Sequence, residues 1–320
     1  MKIKILLFTT ALVCAVLGLL FLINSRTERQ GAVAFMALSR YNNKVAVIGG
    51  KLLIFGGLRN VRNKAEQIEE YDFSTGRLTR RKAVMKTMQH CFAVAAARGK
   101  VYLIGSDQKG SVEEYDPDRD VTVSRKPSAV WRNDVAAAGL NGRIYVAGGF
   151  LNGKATGMLE EYDPETETWK RCAAMPTPRG GLGLVVLQGK IYAIGGSDEK
   201  GGSAAVEEYD PSADRWQVRA PMRHTRTFFG AAVAENTLLA FGGQKNSQEI
   251  EFLQTVEEYS PDTNSWTEKE PLPYRLGCMD VGIYKDKAYV CGGLTLARAI
   301  KAVAWPGDIG ARQIMEYPIR

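Results

Sequence analysis

The sequence predicts an all-β protein, a six-bladed β-propeller of four-stranded antiparallel blades preceded by one N-terminal hydrophobic helix. Three observations carry this. Glycine pairs at Gly56-Gly57, Gly148-Gly149, Gly195-Gly196, Gly242-Gly243 and Gly292-Gly293, with Gly105-Ser106 as a diverged copy, recur every 43 to 50 residues. A unit of that size cannot bury its own apolar faces, so a fixed period implies repeats that stack on one another. Each pair closes a run of consecutive apolar residues, such as Ile144-Tyr145-Val146-Ala147, and each run follows a stretch of small apolar residues across a two-residue turn. Finally, Tyr162, Tyr209 and Tyr259 are each followed seven residues later by a tryptophan, Trp169, Trp216 and Trp266. Units of this length suit four short strands apiece.

Residues 5–23, ILLFTTALVCAVLGLLFLI, carry no charge and follow Lys2 and Lys4. The run is long enough to span a bilayer, and the exit INSRTER offers only a mediocre cleavage site at Ser25. Residues 1–28 are therefore expected to be a signal anchor with a short linker, the two lysines holding the N-terminus in the cytoplasm. The alternative is a cleaved signal peptide, which would leave the propeller secreted or periplasmic. Residues 29–320 form the propeller itself, outside the cytoplasmic membrane on either reading. The formal charge of +7 is spread along the chain without a polybasic block, so no nucleic-acid partner is expected. Five cysteines show no metal-ligand spacing, and no metal or cofactor is expected. Cys91, Cys172, Cys278 and Cys291 read as small buried apolar residues.

Within a unit, the first strand is small and apolar: FAVAAA from Phe92, GLGLVV from Gly181, FGAAVA from Phe229. That composition fits the innermost position, where blades converge on an axis. Turns such as Asn141-Gly142 and Gln188-Gly189 tolerate positive φ and lead into a second strand buried on both faces. The third strand carries Glu-Glu-Tyr-Asp. Asp163-Pro164 and Asp210-Pro211 then turn the chain toward a fourth strand holding Trp169 or Trp216. The glycine pairs are expected to leave room for the Tyr and Trp rings. In the first two units Leu78 and Thr122 stand at the tryptophan position.

Gly-Gly, Tyr and Trp together in three of the six units resemble the kelch repeat, and the resemblance covers about residues 29–317. It implies a propeller of four-stranded blades around a central channel. Only three residues follow Tyr317, so the sixth unit lacks a fourth strand of its own. Met36 to Arg40 matches Met175 to Arg179, a motif that follows a fourth strand, so residues near 29–36 are expected to complete the last blade and leave no open edge. About Asn24 to Glu28 then separate the propeller from the apolar run, a reach of at most roughly 17 Å.

Arginine recurs just before the first strand, at Arg40, Arg132, Arg179, Arg226 and Arg275, with Gln89 in the second unit. Propeller geometry brings these loops to one channel mouth, where converging guanidiniums suit carboxylates, sulfates or acidic peptides. In kelch domains that bind acidic partners, arginines in this region make the contacts, and the resemblance extends that role to these positions. His90 and His224 share the loops, and Tyr274, Trp131 and Phe228 stand beside them to stack on a ligand. The competing expectation is that each arginine bonds backbone carbonyls at a blade junction. The repeated pairs Glu160-Glu161 and Glu207-Glu208 are expected to pair with fourth-strand Lys and Arg. In the sixth unit the distance from glycine pair to tyrosine is 25 residues against 14 in the third, and this excursion contributes Arg298, Trp305 and Arg312 as candidates.

Two enzyme readings follow from the resemblance. Galactose-oxidase-like copper chemistry needs paired His and Tyr ligands, and two histidines in different units do not supply them. A periplasmic sialic acid epimerase also resembles a six-bladed kelch propeller, and a cationic mouth suits its carboxylate sugar. No acid–base pair stands out at recognisable spacing. The reading is therefore a non-catalytic binding module, without cofactor, whose partner is a protein or an anionic glycan and whose membrane contact is the N-terminal segment alone. An N-acetylneuraminate epimerase-like or other carbohydrate-active enzyme is the alternative. The ligand-binding candidates are Arg40, Arg132, Arg179, Arg226, Arg275, His224, Tyr274 and Trp305.

Overall fold

The computed structural model describes residues 32–58, 66–86, 92–105, 109–246, 251–295 and 311–319, with the backbone alone at 37–39 and 311. The expected N-terminal helix lies outside the described residues, as do Gln89, His90, Cys91, Arg298 and Trp305. Every regular element among the described residues is a strand.

Strand β1 (Ala32–Arg40) precedes the first blade, which contains β2 (Lys44–Ile48), β3 (Lys51–Phe55), β4 (Gln67–Asp72) and β5 (Arg77–Val84). The second blade holds β6 (Phe92–Ala97), β7 (Lys100–Gly105), β8 (Val112–Asp116) and β9 (Val121–Arg125). In the third, β10 (Ala136–Leu140) and β11 (Arg143–Ala147) are followed by a short hairpin, β12 (Phe150–Leu151) and β13 (Lys154–Ala155), before β14 (Leu159–Asp163) and β15 (Thr168–Cys172). The fourth repeats this with β16 (Gly183–Leu187), β17 (Lys190–Ile194), the hairpin β18 (Ser197–Asp198) and β19 (Gly201–Gly202), β20 (Val206–Asp210) and β21 (Arg215–Arg219). The fifth comprises β22 (Gly230–Ala234), β23 (Thr237–Phe241), β24 (Val256–Ser260) and β25 (Ser265–Lys269). The last has β26 (Asp280–Tyr284), β27 (Lys287–Cys291) and β28 (Ala311–Pro318).

Each of the six sheets is a four-stranded antiparallel meander, and the sixth runs β26-β27-β28-β1. The ring thus closes through the first strand of the chain, with Ala34 opposite Ile314 and Phe35 opposite Gln313. Arg312 adds a bond from its Nε to the Met36 carbonyl at 3.0 Å. Pairing both chain ends into one sheet removes the open edges an unclosed ring would expose.

Side-chain size follows position in the blade. Adjacent innermost strands approach so closely that a Cβ on Gly230 would lie 2.3 Å from a Val281 methyl, which explains the alanine and glycine content there. Second strands are buried on both faces, as in β17, where Ile191, Tyr192, Ala193 and Ile194 are all within the core. Outer strands are sewn to the preceding blade by their aromatics. Trp169, Trp216 and Trp266 pack on Tyr162, Tyr209 and Tyr259 with centroids 4.8, 5.1 and 5.3 Å apart. Their indole N–H groups donate across the seam to the carbonyls of Lys126, Ala173 and Ala220.

The glycine pairs have a different cause from the one expected. A Cβ on Gly148 would sit 2.3 Å from the Arg179 carbonyl, and one on Gly149, at φ 93°, would sit 2.5 Å from the Asn133 carbonyl. Neighbouring backbone, not a Tyr or Trp ring, occupies the space.

Candidate functional site

The recurrent arginines are placed inside the blades. Arg40, Arg179 and Arg226 are fully buried and Arg132 nearly so. Arg179 shows the pattern: its Nε donates to the Gly195 carbonyl at 2.6 Å, Nη2 to Ala193 at 2.9 Å, and Nη1 to Thr177 at 2.7 Å and to Glu207 at 2.6 Å. Meanwhile its own carbonyl accepts the Gly149 N–H of the preceding blade at 3.0 Å. One residue therefore locks two blades, through its backbone on one side and its side chain on the other. Arg40 pairs likewise with Glu69 at 2.6 Å, Arg132 with Glu160 at 2.5 Å, and Arg226 with Glu257. Burial pulls these guanidiniums below their usual pKa, with the partner carboxylate opposing the shift. The expected ring of ligand-facing cations at Arg40, Arg132, Arg179 and Arg226 is thus corrected: their charge is spent on glutamates and carbonyls, away from solvent.

The glutamate pairs divide their work. In four blades the first of each pair, Glu69, Glu160, Glu207 or Glu257, meets the loop arginine, so the expectation that Glu160 and Glu207 pair with the fourth strand is corrected; Glu113 accepts the Lys86 N–H. The second faces the fourth strand in most blades: Glu208 pairs with Arg219 at 2.7 Å, Glu114 with Arg125 at 3.0 Å and Glu258 with Lys269 at 3.2 Å, whereas Glu161 lies 3.9 Å from Arg143 of the second strand.

The sixth blade breaks the pattern and shifts the alignment by one residue. Gly243 N–H is accepted by Leu276, just as Gly149 and Gly196 are accepted by Arg179 and Arg226. Leu276, not Arg275, is the structural counterpart. The glutamate position, opposite Val290, is Met315. Both are buried in one apolar cluster, so the ion pair is replaced as a unit by Leu276 and Met315. Arg275 projects to the surface, where Nη1 donates to the Phe252 carbonyl at 3.1 Å. Tyr274 is buried, with its hydroxyl 2.9 Å from Met315 Sδ and bonded to Gln313; it has no face left for a ligand. His224 is half-buried, its Nδ1 3.2 Å from Glu257 Oε1, and so shares the acid that holds Arg226. Trp131 is partly exposed beside Arg132.

What does reach the channel is the residue two positions after each arginine site. Asn42, Asp134, Gly181, Phe228 and Cys278 all adopt left-handed backbone, with φ of 55, 53, 61, 49 and 56°. Their main chains are joined head to tail: Cys278 N–H to Phe228 O at 2.8 Å, Phe228 to Gly181 at 3.0 Å, Gly181 to Asp134 at 2.9 Å, and Asn42 to Cys278 at 2.7 Å. These five residues form a collar along the channel mouth, the matching position of the second blade lying outside the described residues. Its conformation recurs in the five blades whose collar position is described and is architectural, although a left-handed phenylalanine is uncommon enough to make Phe228 a strained member.

One layer deeper, the blades contribute Lys44, Ala93, Ala136, Gly183, Gly230 and Asp280, matched by their pairing with the ends of the second strands. Four are small, and the two charged ones sit on the adjoining sixth and first blades. Both face a cavity of about 140 Å³, and Lys44 extends into the space under the collar, beside Asn42, Asp134, Phe228 and Cys278. Asp280 Oδ2 accepts the Val45 N–H at 2.8 Å. Burial raises the Asp280 carboxyl pKa, with Lys44 opposing. The Cys278 thiol is pushed up to about 12 by burial, which leaves it protonated and unreactive. Cys172 and Cys291 are buried free thiols, whereas Cys278 is a wall of the channel mouth. Lys44 and Asp280 were the residues to find: each puts a charge where the other inner strands have alanine or glycine.

A sequence profile described as "Kelch motif" matches residues 132–176, 178–223 and 225–273, the blades that combine the Arg–Glu pair with the Tyr–Trp pair. No curated protein matches the chain in sequence. A solved structure described as "Structure of YjhT" is similar in fold, with a TM-score of 0.74 over 88% of this chain and 95% of that one at 15% identity.

Proposed function

We propose that this six-bladed propeller, with kelch motifs in three of its blades, is a non-catalytic binding module held outside the cytoplasmic membrane by its N-terminal segment. Its partner is a protein or an anionic glycan that docks on the collar face and presents an acidic group to the channel. The supporting observation is the asymmetry of the layer below the collar, where Lys44 and Asp280 stand on adjoining blades and the other four blades give only small side chains. Lys44 takes over the anion-binding role expected of the buried arginines, and Phe228 supplies an apolar lip. The test is partner capture by the propeller and by Lys44→Ala and Phe228→Ala variants. Both variants are expected to lose capture while their unfolding midpoints hold; capture equal to the parent protein refutes the site.

Asp280 favours one second reading, a carbohydrate-active enzyme acting on an acidic sugar. A carboxyl whose pKa is raised by burial, with a cation beside it, suits proton transfer. Proton NMR of anomer exchange in N-acetylneuraminate separates the two readings. Acceleration that disappears in Asp280→Asn establishes the enzyme, and no acceleration removes it.

A further inference from the structure

The outer rim of the propeller differs between its two halves. Outermost strands follow one another around the rim, the end of one bonded to the start of the next. Lys82 N–H donates to Asp120 Oδ2 at 2.8 Å, and Thr122 Oγ1 donates to the Val84 carbonyl at 3.0 Å. Among the described residues the exposed large apolar side chains are Val33, Phe35, Val84, Val121, Val123 and Val218. All but Val218 lie on β1, β5 and β9, the outer strands of three consecutive blades, the sixth, first and second. β9, with Val121 and Val123, adjoins β5 at the bond from Thr122 to the Val84 carbonyl, and β1, with Val33 and Phe35, adjoins β5 on the other side. Between them β5 exposes Arg77, Arg80 and Lys82, and none of the three strands contains an Asp or Glu. On the opposite half, β15, β21 and β25 expose Lys170, Arg171, Arg215, Gln217, Thr267 and Glu268, with Val218 as the lone large apolar residue, so the two halves share basic side chains and differ in apolar exposure.

We propose that this apolar and basic sector is a docking surface for an anionic lipid bilayer, against which the propeller lies on its side. The inference rests on the reading of residues 1–28 as a membrane anchor and adds an orientation to it. The uncharged run ends at Ile23 and β1 begins at Ala32, nine residues on, so the tether spans at most roughly 30 Å. It leads directly into the strand that carries Val33 and Phe35. Shallow insertion of apolar side chains combined with attraction of Arg and Lys to lipid phosphates is the combination that holds a protein at a charged interface. In this pose the channel axis runs along the membrane, and the collar face stays open to a partner.

The experiment uses the full chain in vesicles of phosphatidylcholine and phosphatidylglycerol. A fluorophore is attached at Val123→Cys or Phe35→Cys, and at Val218→Cys as the opposite-rim reference, with the parent chain setting the background from native thiols. The labels at 123 and 35 are expected to lose quenching by aqueous iodide and to gain quenching by spin-labelled lipid, while the label at 218 behaves in the reverse way. Iodide reaching all three positions in a chain that floats with the vesicles overturns the docking surface and leaves the anchor standing. Labels at 123 and 35 shielded from both quenchers mean that protein covers the sector, which also overturns it. A chain that does not float with vesicles at all overturns the anchor reading and the inference together.

Discussion

In the fourth blade, the position that locks two blades together is Arg179, sealed against Glu207; in the sixth blade the same two positions are Leu276 and Met315. Both versions fill the same buried space, and both keep the backbone bond to the preceding glycine pair, Gly149 to Arg179 and Gly243 to Leu276. The comparison teaches that the charge is optional and its pairing is not. A buried ion pair contributes little net stability over a well-packed apolar pair, whereas half of one is a buried unpaired charge.

The largest expected effect therefore comes from breaking the pair in the fourth blade. Glu207→Met alone leaves the Arg179 guanidinium buried without its acid, and Arg179→Leu alone strands Glu207. Either is expected to cost about 3–5 kcal/mol in urea unfolding. The double change Arg179→Ala with Arg226→Ala is expected to unfold the propeller, and that result on its own would say nothing about ligand binding.

A smaller effect separates the two blades at their seams. Trp216 donates to the Ala173 carbonyl at 2.8 Å, and in the sixth blade the Tyr317 phenol, on the third strand β28, donates to the Glu270 carbonyl at 2.7 Å. Trp216→Phe and Tyr317→Phe are each expected to lose about 1 kcal/mol, the net contribution of one hydrogen bond. Equal losses, measured by denaturant midpoint, would show that the two aromatics do the same job.

Acid sharpens the comparison further. Asp214 is held below the usual carboxylate pKa, first by the Ala173 N–H and then by the Tyr209 hydroxyl. A depressed carboxyl contributes stability above its unfolded pKa, about 4 for an aspartate, and loses it as pH falls through the folded value. Asn264 makes the same bonds in the next blade, to Ala220 N–H and the Tyr259 hydroxyl, without a charge. Asp214→Asn is thus expected to lessen the loss of stability below pH 4 while changing the neutral-pH midpoint little. A steeper acid limb would contradict the assignment. The smallest effect belongs to Arg275→Ala, within about 0.5 kcal/mol, because that side chain lies at the surface.

Glycine pairs, tyrosines and tryptophans announced the blades because each of those residue types has few alternative uses at a fixed period. The arginines were legible as a repeat and illegible as a function. Their guanidiniums turn inward toward a glutamate on the third strand, a partner 28 residues later in the chain for Arg179, and no spacing within one loop reveals that. Arg275 was placed in the set because it immediately precedes Leu276, and only the bond to Gly243 fixes which of them holds the site. Lys44 and Asp280 escaped notice because innermost strands were read for size, and a charge facing a channel looks like any other strand terminus until six blades are in place.

The buried arginines brace neighbouring blades, and the double variant Arg179→Leu with Glu207→Met tests this most directly, because it writes the sixth-blade solution into the fourth. The double variant is expected to be more stable than either single variant and to capture partner as well as the parent protein does. A double variant whose loss of stability equals the sum of the two single losses, or which folds normally but no longer captures partner, would contradict it.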